Sequence, residues 1–487
     1  MQKKFEYLRA PEQYAQYWYR ESVETLPVAI KPKKHPYRTV FECDRDRVMY
    51  SSAFRRLAAK TQVFNSQVAD KLRTRLTHTL EVAQIARTIA CQLGLDEKLA
   101  EAIALGHDVG HTPFGHVGER TLNVFSKGND KEQRTSQFEI PIRFYGFKHN
   151  LQSVRVLVEY SENVKFSNFM LFGVREHSKL YWERPEDVEF YNIYDKFCSY
   201  TIDEQCYLAW SFEAFIVKWA DEVAQRHHDI EDAFVQRIMS AQDIVEKVQP
   251  LMNIIKDENI NRKYERLRSE AERIERRDTA SEQYSFAHTL SGFLVDVYVT
   301  VLIKEFSRVL KHFSNTNEIH TVDDLKKRYL EISVEYIREI MSLSDSKIYR
   351  IDKDLGHSLK YSILDSYEVQ RMDGKGAYTI RKLVRAYLSN PQQLPNTYIN
   401  RFIKCELCIS LEGSWDKFLL DLNKNSGDKF SENVNIWKDY ECREALRVIM
   451  CTDELMKAAY PALLRIILDY IAGMTDPYAT AQQRELY

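Results

Sequence analysis

Within the stretch Gly106–His116 stand His107, Asp108, His111 and His116, a density of titratable side chains that packing alone does not explain. Adjacent His107 and Asp108 offer an imidazole and a carboxylate to one divalent ion. His78 upstream adds a second imidazole, and a later acid would complete a set of two nitrogens and two oxygens. Mixed ligation of this kind, with positions left open, suits Mn²⁺, Fe²⁺, Co²⁺ or Mg²⁺, whereas the sulfur-rich set of a structural zinc site is missing. The best later acid is Asp221, flanked by Trp219 and Ala220 on an apolar stripe. A carboxylate there is costly to bury unless a cation pairs with it. Taken singly, His78 reads as a core-edge histidine bonded to a carbonyl, and Asp221 as part of an exposed acidic face. Their company is what argues for an ion.

Three helices must carry these groups. Apolar residues recur at Leu76, Leu80, Ala83, Ala86 and Ala90, with Val82, Ile85 and Ile89 beside them, which predicts a helix over 76–93 stopped by Gly94. Asp96 is a cap for a second helix through Leu99, Ile103 and Leu105, broken soon after Gly106. Leu208, Phe212, Phe215, Trp219 and Val223 predict a third from about Gln205 to His228. Residues 126–148 read as a polar, irregular insertion, a candidate rim or lid. Beyond 236 the pattern stays helical; Glu258–Arg277 is so charged that an exposed or intersubunit helix is expected, and Leu463–Ala472 is apolar enough to pack back on the body.

Composition agrees with an all-α architecture. The 487 residues include only 15 Gly and 12 Pro, too few for a turn-rich β fold, and 44% hydrophobic against 29% charged residues excludes a wholly disordered chain. No signal peptide and no run of ~20 apolar residues is read, so a cytoplasmic protein without a membrane partner is expected. The eight cysteines are scattered, which suits reduced thiols. Cys405 and Cys408, although spaced like a zinc or redox pair, are expected to be two buried thiols. Net charge is −2, but residues 31–75 carry twelve Lys or Arg against four acids.

His78, His107-Asp108 and Asp221 match the H…HD…D signature of HD-domain metal-dependent phosphohydrolases. With Phe54-Arg55-Arg56-Leu57, Lys60-Thr61-Gln62-Val63-Phe64, Arg73–Val82, Gly106–Glu119, Phe147–Gln152 and Asp469–Asp476, the chain resembles the bacterial deoxyguanosinetriphosphate triphosphohydrolases (dGTPases) from about residue 35 onward. The resemblance implies an HD-domain helical core over 36–235 with the insertion at 126–148. An N-terminal arm over 1–35 precedes it, and a helical C-terminal region over 236–487 contributes to the substrate pocket and to oligomer contacts.

It further implies hydrolysis of dGTP to deoxyguanosine and tripolyphosphate. One divalent metal per active site, Mn²⁺ or Mg²⁺ first and Fe²⁺, Co²⁺ or Ni²⁺ after them, would be held by His78, His107, Asp108 and Asp221. His116 would transfer the proton as acid or base, oriented by Glu119. His111, counted with the catalytic residues, would contact the phosphates with His149, and further substrate contacts would come from Arg75, Arg55, Arg56, Gln62 and Asp229. Gln225 stands where the family places a sugar-packing tyrosine. A hexamer or tetramer, and single-stranded DNA or a nucleotide as effector, are the partners it suggests. The alternatives are an HD-type phosphodiesterase or 5′-nucleotidase acting on other nucleotides, and a DNA-binding regulator that keeps the HD scaffold.

Overall fold

The computed structural model describes residues 4–22, 25–62, 73–129, 144–178, 185–202, 204–411, 413–426 and 429–486. Most of the expected insertion at 126–148, and Val63-Phe64 of the sequence motif, lie outside them. The described chain is helical with two small antiparallel sheets. Strand β1 (Tyr17–Tyr19) lies between β2 (Val28–Ile30) and β3 (Phe166–Ser167), with Trp18 opposite Ala29 and Tyr17 opposite Ser167, so the N-terminal arm is stitched onto the core. Then come α1 (Val40–Tyr50), α2 (Ser52–Arg56), α3 (Arg75–Leu93), α4 (Glu97–Gly106), α5 (Gly115–Ser126), α6 (His149–Glu159), α7 (Asn168–Glu176) and α8 (Pro185–Asn192). The hairpin β4 (Ser199–Ile202) and β5 (Gln205–Leu208) leads into α9 (Phe212–Val235), α10 (Ala241–Val248), α11 (Glu258–Arg276) and α12 (Ala280–Thr316).

The first two expected helices form as the sequence chemistry requires. Gly94 ends α3 at φ +80°, and the Asp96 side chain accepts from the Lys98 and Leu99 amides to start α4. The third is corrected. Residues 205–208 are strand, with Tyr200 opposite Tyr207 and their rings 5.8 Å apart, and the helix starts only where Ser211 caps the Ala214 amide. It also runs on past His228 to Val235. A cross-strand aromatic pair outweighed the helical spacing of a short apolar run.

Apolar side chains fall into two clusters. The larger joins α1, α3, α4, α7 and α9 to α12; the smaller gathers the chain after about residue 380 around Leu122, Phe125 and Phe147. Leu463–Ala472 is buried there, as its composition implies. Helix α11 is charged outside, but Ile260, Tyr264, Leu267 and Ala271 form a buried stripe, and the helix packs on α12. Against the reading of the sequence, α12 is long and apolar enough to cross a membrane by length and composition alone; 56% of its most apolar window is buried within the protein. Cys405 is buried, while Cys408 is only half-buried.

Candidate active site

Helices α3, α4 and α9 pack closely against one another, which carries His78, His107 and Asp221 to one point. His78 Nε2 is 2.9 Å from Asp221 Oδ1, and His107 Nε2 is 3.7 Å from the same oxygen and 3.7 Å from Asp108 Oδ2. His78, His107 and Asp221 each bring a donor atom within 4.8 Å of the others; His107, Asp108 and His177 form an adjoining group of the same kind. His107 donates from Nδ1 to the Ala104 carbonyl at 2.6 Å, so its lone pair sits on Nε2, and that buried atom has no hydrogen-bond partner among the described residues. Two imidazole nitrogens and a carboxylate, one nitrogen orphaned in the interior, fit a divalent cation.

The turn that presents His107 and Asp108 is held by close packing. Ser153 on α6 donates to the His107 carbonyl at 2.6 Å and accepts from the Gly110 amide at 2.9 Å. A Cβ at Gly110 would lie 2.2 Å from the Ser153 nitrogen, so only glycine permits this approach. Buried Lys60 donates to the His111 and Ala472 carbonyls. Asp476 accepts from the Thr61 and Phe114 amides at 3.0 Å each. The C-terminal helices therefore brace the floor of the site.

Beside His107, the candidate ligands His78, Asp108 and Asp221 line a cavity of about 710 Å³, a volume in the range of small-ligand sites. Gln62, Arg75, His78, Asp108, His111, His116, His149, Asp221, Gln225 and Asp229 all face it. Arg75 is buried and donates from Nη1 to Asp108, while its Nε and Nη2 have no hydrogen-bond partner among the described residues; the same holds for His111 Nε2, Gln62 Oε1 and Asp229 Oδ1. A buried wall with so many unspent donors and acceptors is built to receive a polar ligand. Burial, the largest single influence, opposes ionisation of Asp108 and Asp221, but the neighbouring groups together outweigh it, led by Arg75 at Asp108 and by His78 at Asp221, and hold both carboxyls below their usual range. Burial pushes Asp229 up to about 7.

Two expected placements are corrected. Arg55 and Arg56 are not among the residues lining the cavity. Arg55 is exposed and donates to the Tyr50 carbonyl, and Arg56 lines a separate cleft beside Tyr398 and Asp469, because the last turn of α2 faces away from the site. Nor does the basic segment gather there: Lys31, Lys33, Lys34 and Arg38 line a different cavity near the N-terminal arm. Glu119 serves a second histidine besides His116. Its Oε2 accepts from His149 Nδ1 at 2.7 Å and stands 3.8 Å from His116 Nδ1, with the His116 side chain 54% exposed. Burial opposes a charge on His149, but Glu119 outweighs it and raises the imidazole above its usual value.

The sequence reading missed His177 and the wall contributed by the helix Lys347–Leu359. His177 donates from Nδ1 to the Val174 carbonyl at 2.6 Å, and its Nε2 lies 3.2 Å from His149 Nε2. Burial drives it down to about 3, leaving a neutral ring that can accept from His149. Its signal was faint: Arg175-Glu176-His177 is a polar patch ending the apolar run Phe169–Val174, yet all three are buried. Tyr349, Asp352, Lys353, Gly356 and His357 face the cavity from a helix that in sequence is ordinary amphipathic surface.

An HD-domain family model matches residues 75–226, and a phosphohydrolase-associated domain matches 447–485. The second match covers Ala472 and Asp476, which brace the site. The chain is similar to three proteins described as deoxyguanosinetriphosphate triphosphohydrolase-like. That of Geobacter metallireducens is 31% identical over 79% of this chain and 88% of its own. That of Neorickettsia sennetsu is 32% identical over 76% and 84%, and that of Bordetella pertussis 33% over 74% and 82%.

Proposed function

This chain belongs to the deoxyguanosinetriphosphate triphosphohydrolase family of HD-domain phosphohydrolases, and from that premise we propose that it hydrolyses dGTP to deoxyguanosine and tripolyphosphate. The observation that carries the reading is the convergence of His78 Nε2, His107 Nε2 and Asp221 Oδ1 from three helices beside a cavity that His78, Asp221, Arg75, His111, His116 and His149 face. His78, His107, Asp108 and Asp221 would hold one divalent ion, Mn²⁺ or Mg²⁺. When bound, it supplies Lewis-acid polarisation of the α-phosphoryl group and acidifies water.

The chain's own residues do the rest. Water adds to the α-phosphorus, the bond from phosphorus to O5′ breaks, and O5′ leaves with a proton. His116, facing the cavity with Glu119 3.8 Å from its Nδ1, is the proton-transfer residue. The free edge of the Arg75 guanidinium and the Glu119-stabilised charge of His149 neutralise the phosphate chain. Gln62 and Asp229 offer unspent oxygens to the sugar hydroxyls. With Gln225 on the wall in place of a tyrosine, an amide replaces the ring that would pack against the sugar.

The test is to incubate the protein with each dNTP and rNTP plus Mn²⁺ or Mg²⁺ and to separate the products by ion exchange. Tripolyphosphate with deoxyguanosine supports the reading. Orthophosphate, or turnover confined to monophosphate or cyclic nucleotides, overturns it.

A further inference from the structure

His78 is held from behind as well as in front. Its Nδ1 lies 3.2 Å from Nδ1 of His228, which is fully buried on α9. The other nitrogen of His228 meets Glu81 Oε2, and His227 Nε2 stands 3.2 Å from the same carboxylate oxygen. Glu81, one turn after His78 on α3, is partly exposed in a second cleft behind the site, lined also by Arg73, His227 and His288.

A carboxylate stands at each end of this chain, Glu81 behind and Asp221 in front, so two neutral rings can give an N–H to only one of them; with a cation held by His78 and Asp221, that end is Glu81. A carboxylate accepts and cannot donate, so His228 presents N–H to Glu81 from Nε2 and keeps its lone pair on Nδ1. That lone pair requires a donor, which is His78 Nδ1–H. His78 then has its lone pair on Nε2, the atom facing Asp221 Oδ1, and these two acceptors are satisfied together by the cation they would share. In the opposite tautomer His78 Nε2 would carry the proton toward Asp221 and have no lone pair for an ion, while His228 would turn a lone pair on Glu81. The carboxylate at the far end thus sets the tautomer of a histidine two links away.

We propose that Glu81 and His228 are positioning residues that fix the tautomer and ring orientation of His78 and so set the affinity of the centre for its divalent ion. The proposal rests on the metal-site reading above. Partners of this kind behind a ligand histidine are worth about 10–100-fold in metal affinity.

The experiment titrates Mn²⁺ into metal-free protein, by calorimetry or against a chromogenic chelator, and follows thermal unfolding of the same metal-free samples. His228→Leu is expected to bind Mn²⁺ about 10–100-fold more weakly and to regain wild-type kcat when Mn²⁺ saturates. His228→Asn, whose amide oxygen can replace Nδ1 as acceptor, recovers most of the affinity. Glu81→Ala, at a partly exposed position, shows the same loss to a smaller degree and carries the test if His228→Leu does not fold. His227→Gln, which shares Glu81 but does not touch His78, stays within about twofold of wild type.

Folded His228→Leu or Glu81→Ala protein that binds Mn²⁺ as tightly as wild type overturns the proposal while the metal site stands. A second bound equivalent that Glu81→Ala removes also overturns it, because the three side chains would then hold a cation of their own. Wild-type protein that takes up no Mn²⁺, or Asp221→Ala that takes up as much as wild type, overturns both readings together.

Discussion

Two buried polar clusters lie on either side of α6, and they are built on opposite plans. Behind it, Arg155 donates from Nε to Asp469 and from Nη2 to Glu406 at 2.9 Å each, and from Nη1 to Glu159. Arg401 reaches Glu159 and Glu406 at 2.9 and 3.0 Å, and Tyr160 adds its hydroxyl to Asp469 at 2.7 Å. Here every carboxylate faces an arginine. In front, the candidate active site leaves His107 Nε2, His111 Nε2, two nitrogens of Arg75, Gln62 Oε1 and Asp229 Oδ1 without hydrogen-bond partners among the described residues, at or beside a cavity. Buried charge alone does not mark function, since a neutralised knot fastens the C-terminal helices to the core just as well. Polar atoms left unpaired toward a cavity are the mark, because their desolvation is repaid only by a ligand.

That contrast can be broken from either side. The largest effect is expected at Asp221→Ala, which removes the oxygen shared by His78 and His107. Bound metal by elemental analysis and turnover should both fall to background, with the unfolding transition kept. Full metal content would dissolve the distinction between the two clusters. His116→Ala comes next: metal content stays, and kcat drops about 10²–10⁴-fold, the usual worth of a positioned acid or base. Full activity would remove its assigned role.

On the other side, Arg155→Met removes the cation shared by three buried carboxylates, leaving Arg401 to face Glu159 and Glu406 and Arg465 to face Asp469, and should cost about 3–5 kcal/mol in chemical denaturation. The Mn²⁺ affinity of the folded fraction is expected to stay unchanged, and an equal loss of affinity would join the two clusters into one unit. The smallest effect is at Glu213, buried and accepting from the Asp96 amide, whose carboxyl burial pushes up to about 7. A carboxyl raised in the folded state contributes fully below its unfolded value near 4.5 and costs stability as pH rises toward 7. Glu213→Gln should therefore match wild type near pH 4.5 and exceed it at pH 8 by on the order of 2 kcal/mol, read from unfolding midpoints across pH.

Much of this was legible along the chain. The helices of His78 and His107 announced themselves through apolar spacing, a capping aspartate and a stopping glycine, all of which act within a few residues. Asp221 was legible because an acid on an apolar stripe demands a partner. The start of α9 was not, because Tyr200 and Tyr207 pair across a hairpin that local spacing does not show. The second partner of Glu119 was missed for a similar reason: His116 lies three residues away on the same helix, yet His149, thirty residues on, arrives closer.

The sequence by itself determined which side chains could bind a cation and which local elements would carry them, since propensity, capping and burial cost are properties of neighbours along the chain. Only the tertiary structure decided that Arg55 and Arg56 stand outside the cavity, that His177 stands at it, and that a helix near residue 350 closes the far wall. Orientation across helices is set by how whole faces pack, and a chain read in order carries no record of which distant face will be met.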